Sequence, residues 1–252
     1  MSGQQGAGPT DAAADDVASS RRAKAPATAG ARVVARRLVR AALLLFAAYY
    51  AFAVLMLVVF RFVAPPITGV QLQRRVEALV SGRDYDATRS FVSMDAMSRH
   101  APRAVVAAED GRFWSHAGFD VTEMRAAAGE ALSGGRVRGA STISQQLVKN
   151  LFGCACRNPV RKVYDVALTP MAELILGKDR ILELYLNLVE WGDGVYGIDA
   201  AARHHYGVSA DQLSRTQAAG LAALLPAPRH RTPGNTATYR AAIQRRMSAH
   251  GW

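Results

Sequence analysis

The chain has 252 residues, a formal net charge of +11 and a half share of apolar residues. Its two cysteines, Cys154 and Cys156, are too few for a four-ligand structural metal site, and their Cys-x-Cys spacing reads either as a labile vicinal disulfide or as two spectator thiols. The basic excess fits attraction to anionic lipid or to a phosphorylated substrate, with a solvated basic surface as the plainer reading.

Residues 1–30 are rich in Ala, Gly, Ser, Thr and Pro and poor in large apolar side chains, so they are predicted to be a disordered tail. The uncharged run from Ala41 to Phe60 is long enough to cross a bilayer as one helix. Arg32, Arg36, Arg37 and Arg40 precede it and only Arg61 follows closely, an asymmetry that keeps the N-terminus cytoplasmic. A cleavable signal would have an apolar region of about 7 to 15 residues ending in a small-x-small site. Here the tripeptide Ala51-Phe52-Ala53 lies inside the run, so an uncleaved anchor is the reading. Everything after Phe60 is then outside the cytoplasm, which excludes a nucleic-acid partner. The chain divides into a cytoplasmic tail (1–40), a transmembrane anchor (41–62) and one catalytic domain (63–252).

Beyond Arg61, apolar positions recur at three and four residues and alternation is sparse, so the domain is predicted to be mostly α. The predicted helices run from Pro66 to Val80, Met97 to Asp110, Val121 to Ser133, Ser141 to Leu151, Val160 to Leu176, Lys178 to Leu188, Val195 to Tyr206, Ser209 to Leu224 and Tyr239 to Ala249. The glycines Gly134, Gly135 and Gly139 mark a mobile loop. Ser141 and Thr142 then supply a helix N-cap.

Two segments concentrate the chemistry. In EDGRFWSHAG, Glu109 to Gly118, the carboxylate of Glu109 follows the apolar stretch Ala104 to Ala108, whose low dielectric raises its proton affinity, as a general base requires. Taken alone, Glu109 reads as a solvated helix end and His116 as a histidine bonded to backbone. In GASTISQQLVKN, Gly139 to Asn150, helical spacing aligns Thr142, Gln145, Gln146 and Lys149 on one face able to grip sugar and phosphate. An ordinary polar face is the alternative. The pair Arg161 and Lys162 suits phosphate, by a bidentate fork and by a point charge.

These segments, with RKVYD at Arg161, KDRILELYLN at Lys178 and GVYGIDAAARHHYG at Gly194, resemble in order the motifs of the peptidoglycan glycosyltransferases (glycosyltransferase family 51), and most of all its monofunctional type, since no transpeptidase segment follows. The resemblance implies a lysozyme-like helical domain with a small membrane-proximal lobe, whose Phe91, Val92, Val105 and Val106 dip into the bilayer. It implies polymerisation of lipid II into glycan strands by inverting transfer, forming β-1,4 links with release of undecaprenyl diphosphate. Catalytic roles fall on Glu109 and Asp165. Substrate binding falls on Asp110, Phe113, His116, Ser141, Thr142, Gln145, Gln146, Lys149, Asn150, Arg161, Lys162, Arg180 and Glu183, with Asp110 and His116 bracing the loop. Asp165 departs from the family's Glu and withdraws the carboxylate by one methylene. No metal ligand is assigned, although a Mg or Mn divalent cation at the diphosphate is compatible. The implied partners are lipid II, the growing lipid-linked strand, the membrane and other cell-wall synthesis or division proteins. The implied location is the bacterial inner membrane, with the catalytic domain periplasmic. Two rivals stay open, a lytic transglycosylase or hydrolase and a weakly active scaffold of a wall-synthesis complex.

Overall fold

The computed structural model describes residues 29–135, 139–154 and 159–252. Most of the predicted tail, residues 136–138 of the predicted mobile loop, and Cys156 lie outside them. Cys154 is disulfide-bonded.

The chain enters as α1 (Ala29–Phe60), which starts well before the apolar run because Ala, Arg and Leu, which favour helix, make up most of residues 31–40 and no Gly or Pro interrupts them. Its stretch Gly30–Phe60 reaches a hydropathy of 2.6 and is the one described helix long and apolar enough to cross a membrane. Ala48–Trp252 form one compact unit. Within it the last turns of α1 bury Ala53, Leu57 and Phe60.

Then follow α2 (Gly69–Val80), α3 (His100–Glu109), α4 (Val121–Leu132) and α5 (Ile143–Phe152). Next comes α6 (Pro159–Leu188), broken at Gly177, where φ is 73° and ψ 166°. The last helices are α7 (Ile198–Tyr206), α8 (Arg215–Ala222) and α9 (Ala237–Ala249). Three of them open with a reciprocal cap in which a hydroxyl and a Gln amide exchange bonds with backbone N–H groups: Thr68 with Gln71, Thr142 with Gln145, and Ser214 with Gln217. The break at Gly177 coincides with the boundary between the two helices predicted there.

The core lies where α5 packs along α6 and α3 packs against α8 and α9. Ile143 and Leu147 of α5, Leu168 and Leu184 of α6, and Ala104 of α3 are fully buried in it. Burying a Leu or Ile contributes about 1.5–3 kcal/mol relative to leaving it exposed.

The differences from expectation are local. A three-stranded sheet, β1 (Thr88–Arg89), β2 (Glu190–Gly192) and β3 (Val195–Tyr196), has the order β1-β3-β2. Strand β3 runs parallel to β1 and antiparallel to β2, with a bulge between Glu190 and Gly192. Val195 and Tyr196 are therefore strand where a helix was predicted. Helix α8 begins at Arg215 because Ser214 caps it, and the preceding Ala210–Gln212 forms a separate 3-10 turn. Val105 and Val106 are buried on the inner face of α3, and Phe91 and Val92 pack against the core, so the expectation that these four face lipid is corrected. The apolar side chains most open to the outside include Leu79 and Val80 at the end of α2 and Leu132 at the end of α4.

Gly197 joins β3 to α7 with φ at +92°, and a Cβ there would lie 2.2 Å from the Ser90 carbonyl oxygen. Gly197→Ala is expected to destabilise the domain by about 2 kcal/mol or more, read as a lower midpoint in denaturant unfolding of the detergent-solubilised protein.

Candidate active site

Glu109 is the last residue of α3, and the chain turns immediately at Asp110. The Asp110 carboxylate accepts from the Ile143 backbone N–H at 3.0 Å, in the first turn of α5, and from His116 Nε2 at 2.9 Å. His116 Nδ1 in turn accepts from the Gly118 N–H at 3.1 Å, so the hydrogen on this imidazole sits on Nε2 and is given to Asp110. The Thr142 hydroxyl donates to the Gly118 carbonyl at 2.7 Å. Phe113 is fully buried, with the Lys178 ammonium 4.3 Å from its ring centroid. A Cβ on Gly118, at φ +92°, would lie 2.6 Å from Thr169 Cγ2. The loop from Asp110 to Gly118 is thus held at Asp110, Phe113, His116 and Gly118, while Trp114 stays exposed.

Helix α5 brings Gln146 to Glu109: its Nε2 donates to Glu109 Oε2 at 2.8 Å, while its Oε1 accepts from the Tyr185 hydroxyl at 2.8 Å. Burial raises the pKa of Glu109, opposed by the bond from Gln146 and by the charges of Lys149 and Arg231. Lys149 is shifted the other way. Burial and the neighbouring Arg161 guanidinium lower its pKa, against the pull of Asp165 and Glu109. Both shifts favour the neutral forms, and a raised pKa gives the ionised Glu109 carboxylate a greater proton affinity than a free one has.

The first turn of α6 carries the remaining charges. Arg161 Nη1 donates to Asp165 Oδ2 at 2.6 Å, and Lys162 is exposed beside them. Asp165 is buried, and its Oδ1 has no hydrogen-bond partner among the described residues. Burial raises its pKa against three cations, Arg161, Lys162 and Lys149.

Glu109, Asp110, Asp120, Ser141, Thr142, Tyr239 and Arg246 line a cavity of about 430 Å³. A second, more apolar hollow is lined by Phe119, Val121, Met124, Gln145, Lys162 and Val166. Ala140 and Ser141 line both, so one segment borders the hollow of Glu109 and that of Lys162. Gln145 is spent on the cap, its Oε1 accepting from the Thr142 N–H. Asn150 donates to the Gln146 carbonyl at 2.8 Å. Arg180 and Glu183 do not line the Glu109 cavity. Arg180 donates to the carbonyls of Phe60 and Val63 and to Glu183, whose Oε1 accepts from the Met94 N–H, so the pair fastens the end of α1 to the domain.

A family model described as Transglycosylase matches residues 75–250. The chain belongs to the transglycosylase family. Proteins called biosynthetic peptidoglycan transglycosylase are similar to it. One from Pseudomonas fluorescens (strain SBW25) is 47% identical over 203 residues, covering 79% of this chain and 85% of that protein. One from Pseudomonas putida (strain GB-1) is 44% identical over 220 residues, 86% and 92% of the two chains. A third, from Chromohalobacter salexigens, is 45% identical over 206 residues, 81% and 87%.

Two wall residues of this transglycosylase were not among the predicted site residues. Tyr239 donates to the Ala108 carbonyl at 3.3 Å and Arg246 to the Ala107 carbonyl at 3.2 Å, so α9 holds the end of the helix that bears Glu109. They follow the last motif at a distance, and only the fold brings them back. Asp120 was passed over as well, and its side chain caps α4 through the Glu123 N–H at 3.0 Å.

A raised native pKa means that the folded transglycosylase prefers Glu109 protonated. That preference stabilises fully below the unfolded value, about 4.3, and is lost as pH rises through the raised native value. Glu109→Gln, neutral at every pH, is therefore expected to melt above wild type at pH 8, with the gap closing toward acid pH. Calorimetry in detergent over a pH series checks this, and a variant less stable than wild type at pH 8 contradicts it.

Proposed function

We propose that this transglycosylase polymerises lipid II, with Glu109 as the base that takes the proton from the 4-hydroxyl of the acceptor GlcNAc. That oxygen attacks the anomeric carbon of the donor MurNAc, undecaprenyl diphosphate leaves, and inversion gives a β-1,4 link. Lys149, Arg161 and Lys162 stabilise the departing diphosphate, and Asp165 holds Arg161 in position. The observation that carries this reading is a half-buried carboxylate whose charge is felt by Lys149, which in turn stands within electrostatic reach of Arg161, Lys162 and Asp165.

The cluster fits a divalent cation, Mg or Mn, only as an escort of the diphosphate. Its free oxygen is Asp165 Oδ1, set among positive charges, so phosphate oxygens would supply the rest of the shell. Such an ion would neutralise phosphate charge.

Hydrolysis is disfavoured because glycan cleavage offers no diphosphate for the cations to meet. The apolar α1 supports a single-pass anchor. The arginines before the apolar run support a cytoplasmic N-terminus, with the catalytic domain on the outer side of the inner membrane.

Polymerisation of labelled lipid II in detergent tests this reading. Wild type is expected to make polymer and Glu109→Gln none, while Asp165→Glu, with its longer reach, is expected to be faster. Lys149→Ala is expected to weaken binding of a diphosphate-bearing inhibitor at least tenfold. Polymer from Glu109→Gln, or soluble muropeptides released from sacculi by wild type, would overturn it.

A further inference from the structure

We propose that Tyr185 is a positioning residue for the proton-accepting step, acting through Gln146 to fix how Glu109 is held; this rests on Glu109 being the base. Tyr185 lies on α6 and is 1% exposed. Its hydroxyl donates to Gln146 Oε1 at 2.8 Å, and Gln146 Nε2 donates to Glu109 Oε2 at 2.8 Å. A primary amide has two ends, one that donates and one that accepts. A carboxylate can only accept, so Gln146 must turn its NH2 toward Glu109, and this orientation is satisfied only if a donor waits at its other end. Tyr185 is that donor. Burial and the nearby carboxylates of Glu109 and Asp110 raise its pKa well above the ordinary value, so it keeps its proton across the working range. The relay occupies Oε2 and leaves Oε1 for the substrate proton.

Other groups also bear on Glu109. Lys149 on α5 and Arg231 after α8 favour its charge, and Asp110 next to it opposes it. Tyr239 and Arg246 of α9 stand in the same cavity. Among the described residues only Glu109 and Tyr185 hydrogen-bond to the Gln146 side-chain amide, so loss of the Tyr185 hydroxyl acts on the relay. Without it the amide is free to rotate, the ionised form of Glu109 loses a donor, and its pKa rises.

The experiment is the pH profile of kcat for lipid II polymerisation by wild type, Tyr185→Phe, Gln146→Ala and the double variant, each with its melting temperature. The acid limb is expected to move up by about one pH unit in both single variants, with no further movement in the double variant and little change in KM for Tyr185→Phe. An acid limb left in place in Tyr185→Phe overturns the proposal, however far the rate falls, because a packing defect alone does not move it. Should Tyr185→Phe not fold, Gln146→Ala carries the test and an unmoved limb overturns it equally. Glu109→Gln separates the two readings: activity in that variant defeats the base assignment, whereas an inactive Glu109→Gln beside an unmoved Tyr185→Phe limb defeats only the role of Tyr185.

Discussion

The site depends on one buried carboxylate. Asp110 follows the last residue of α3 and, by accepting the first-turn N–H of Ile143, fixes where α5 begins. A negative charge at a helix N-terminus is favoured by the unpaired N–H groups and by the helix dipole. A hydrogen bond to a charged group contributes about 1.5–3 kcal/mol. Because this bond ties the end of one helix to the start of another, Glu109 and Gln146, 37 residues apart in sequence, meet at 2.8 Å. His116 spends its hydrogen on the same carboxylate and so belongs to the mounting.

Helix α6 serves both halves of the chemistry because it is broken. Before Gly177 it supplies Arg161 and Asp165, and beyond it Lys178 reaches back over Phe113 while Tyr185 reaches Gln146. Glu173, which accepts from Lys178 at 2.7 Å and from the Ser144 hydroxyl, ties the two segments to α5. A straight helix would not aim these side chains the same way, since a φ of +73° redirects the axis at Gly177.

Much of this was legible in the sequence, for definite reasons. The cap at Thr142 and the repeat of apolar positions announced α5, and the apolar stretch before Glu109 announced the direction of its pKa. The strands were not legible because two or three residues cannot display alternation. Val105 and Val106 look lipid-facing in isolation, yet α3 turns them inward against α8 and α9. Tyr185 stood within a recognised motif, but the partner that gives its hydroxyl a purpose lies on another helix. Tyr239 and Arg246 carried no local signal at all.

The reciprocal caps of α2, α5 and α8 all use glutamine where a glutamate would serve the same geometry. An amide holds no titratable proton, so the starts of these helices keep their bonds in acid as in neutral surroundings. These caps are consequently deaf to acidity, which leaves Asp110, through its bond from the Ile143 N–H, as the titratable fastening at the start of α5.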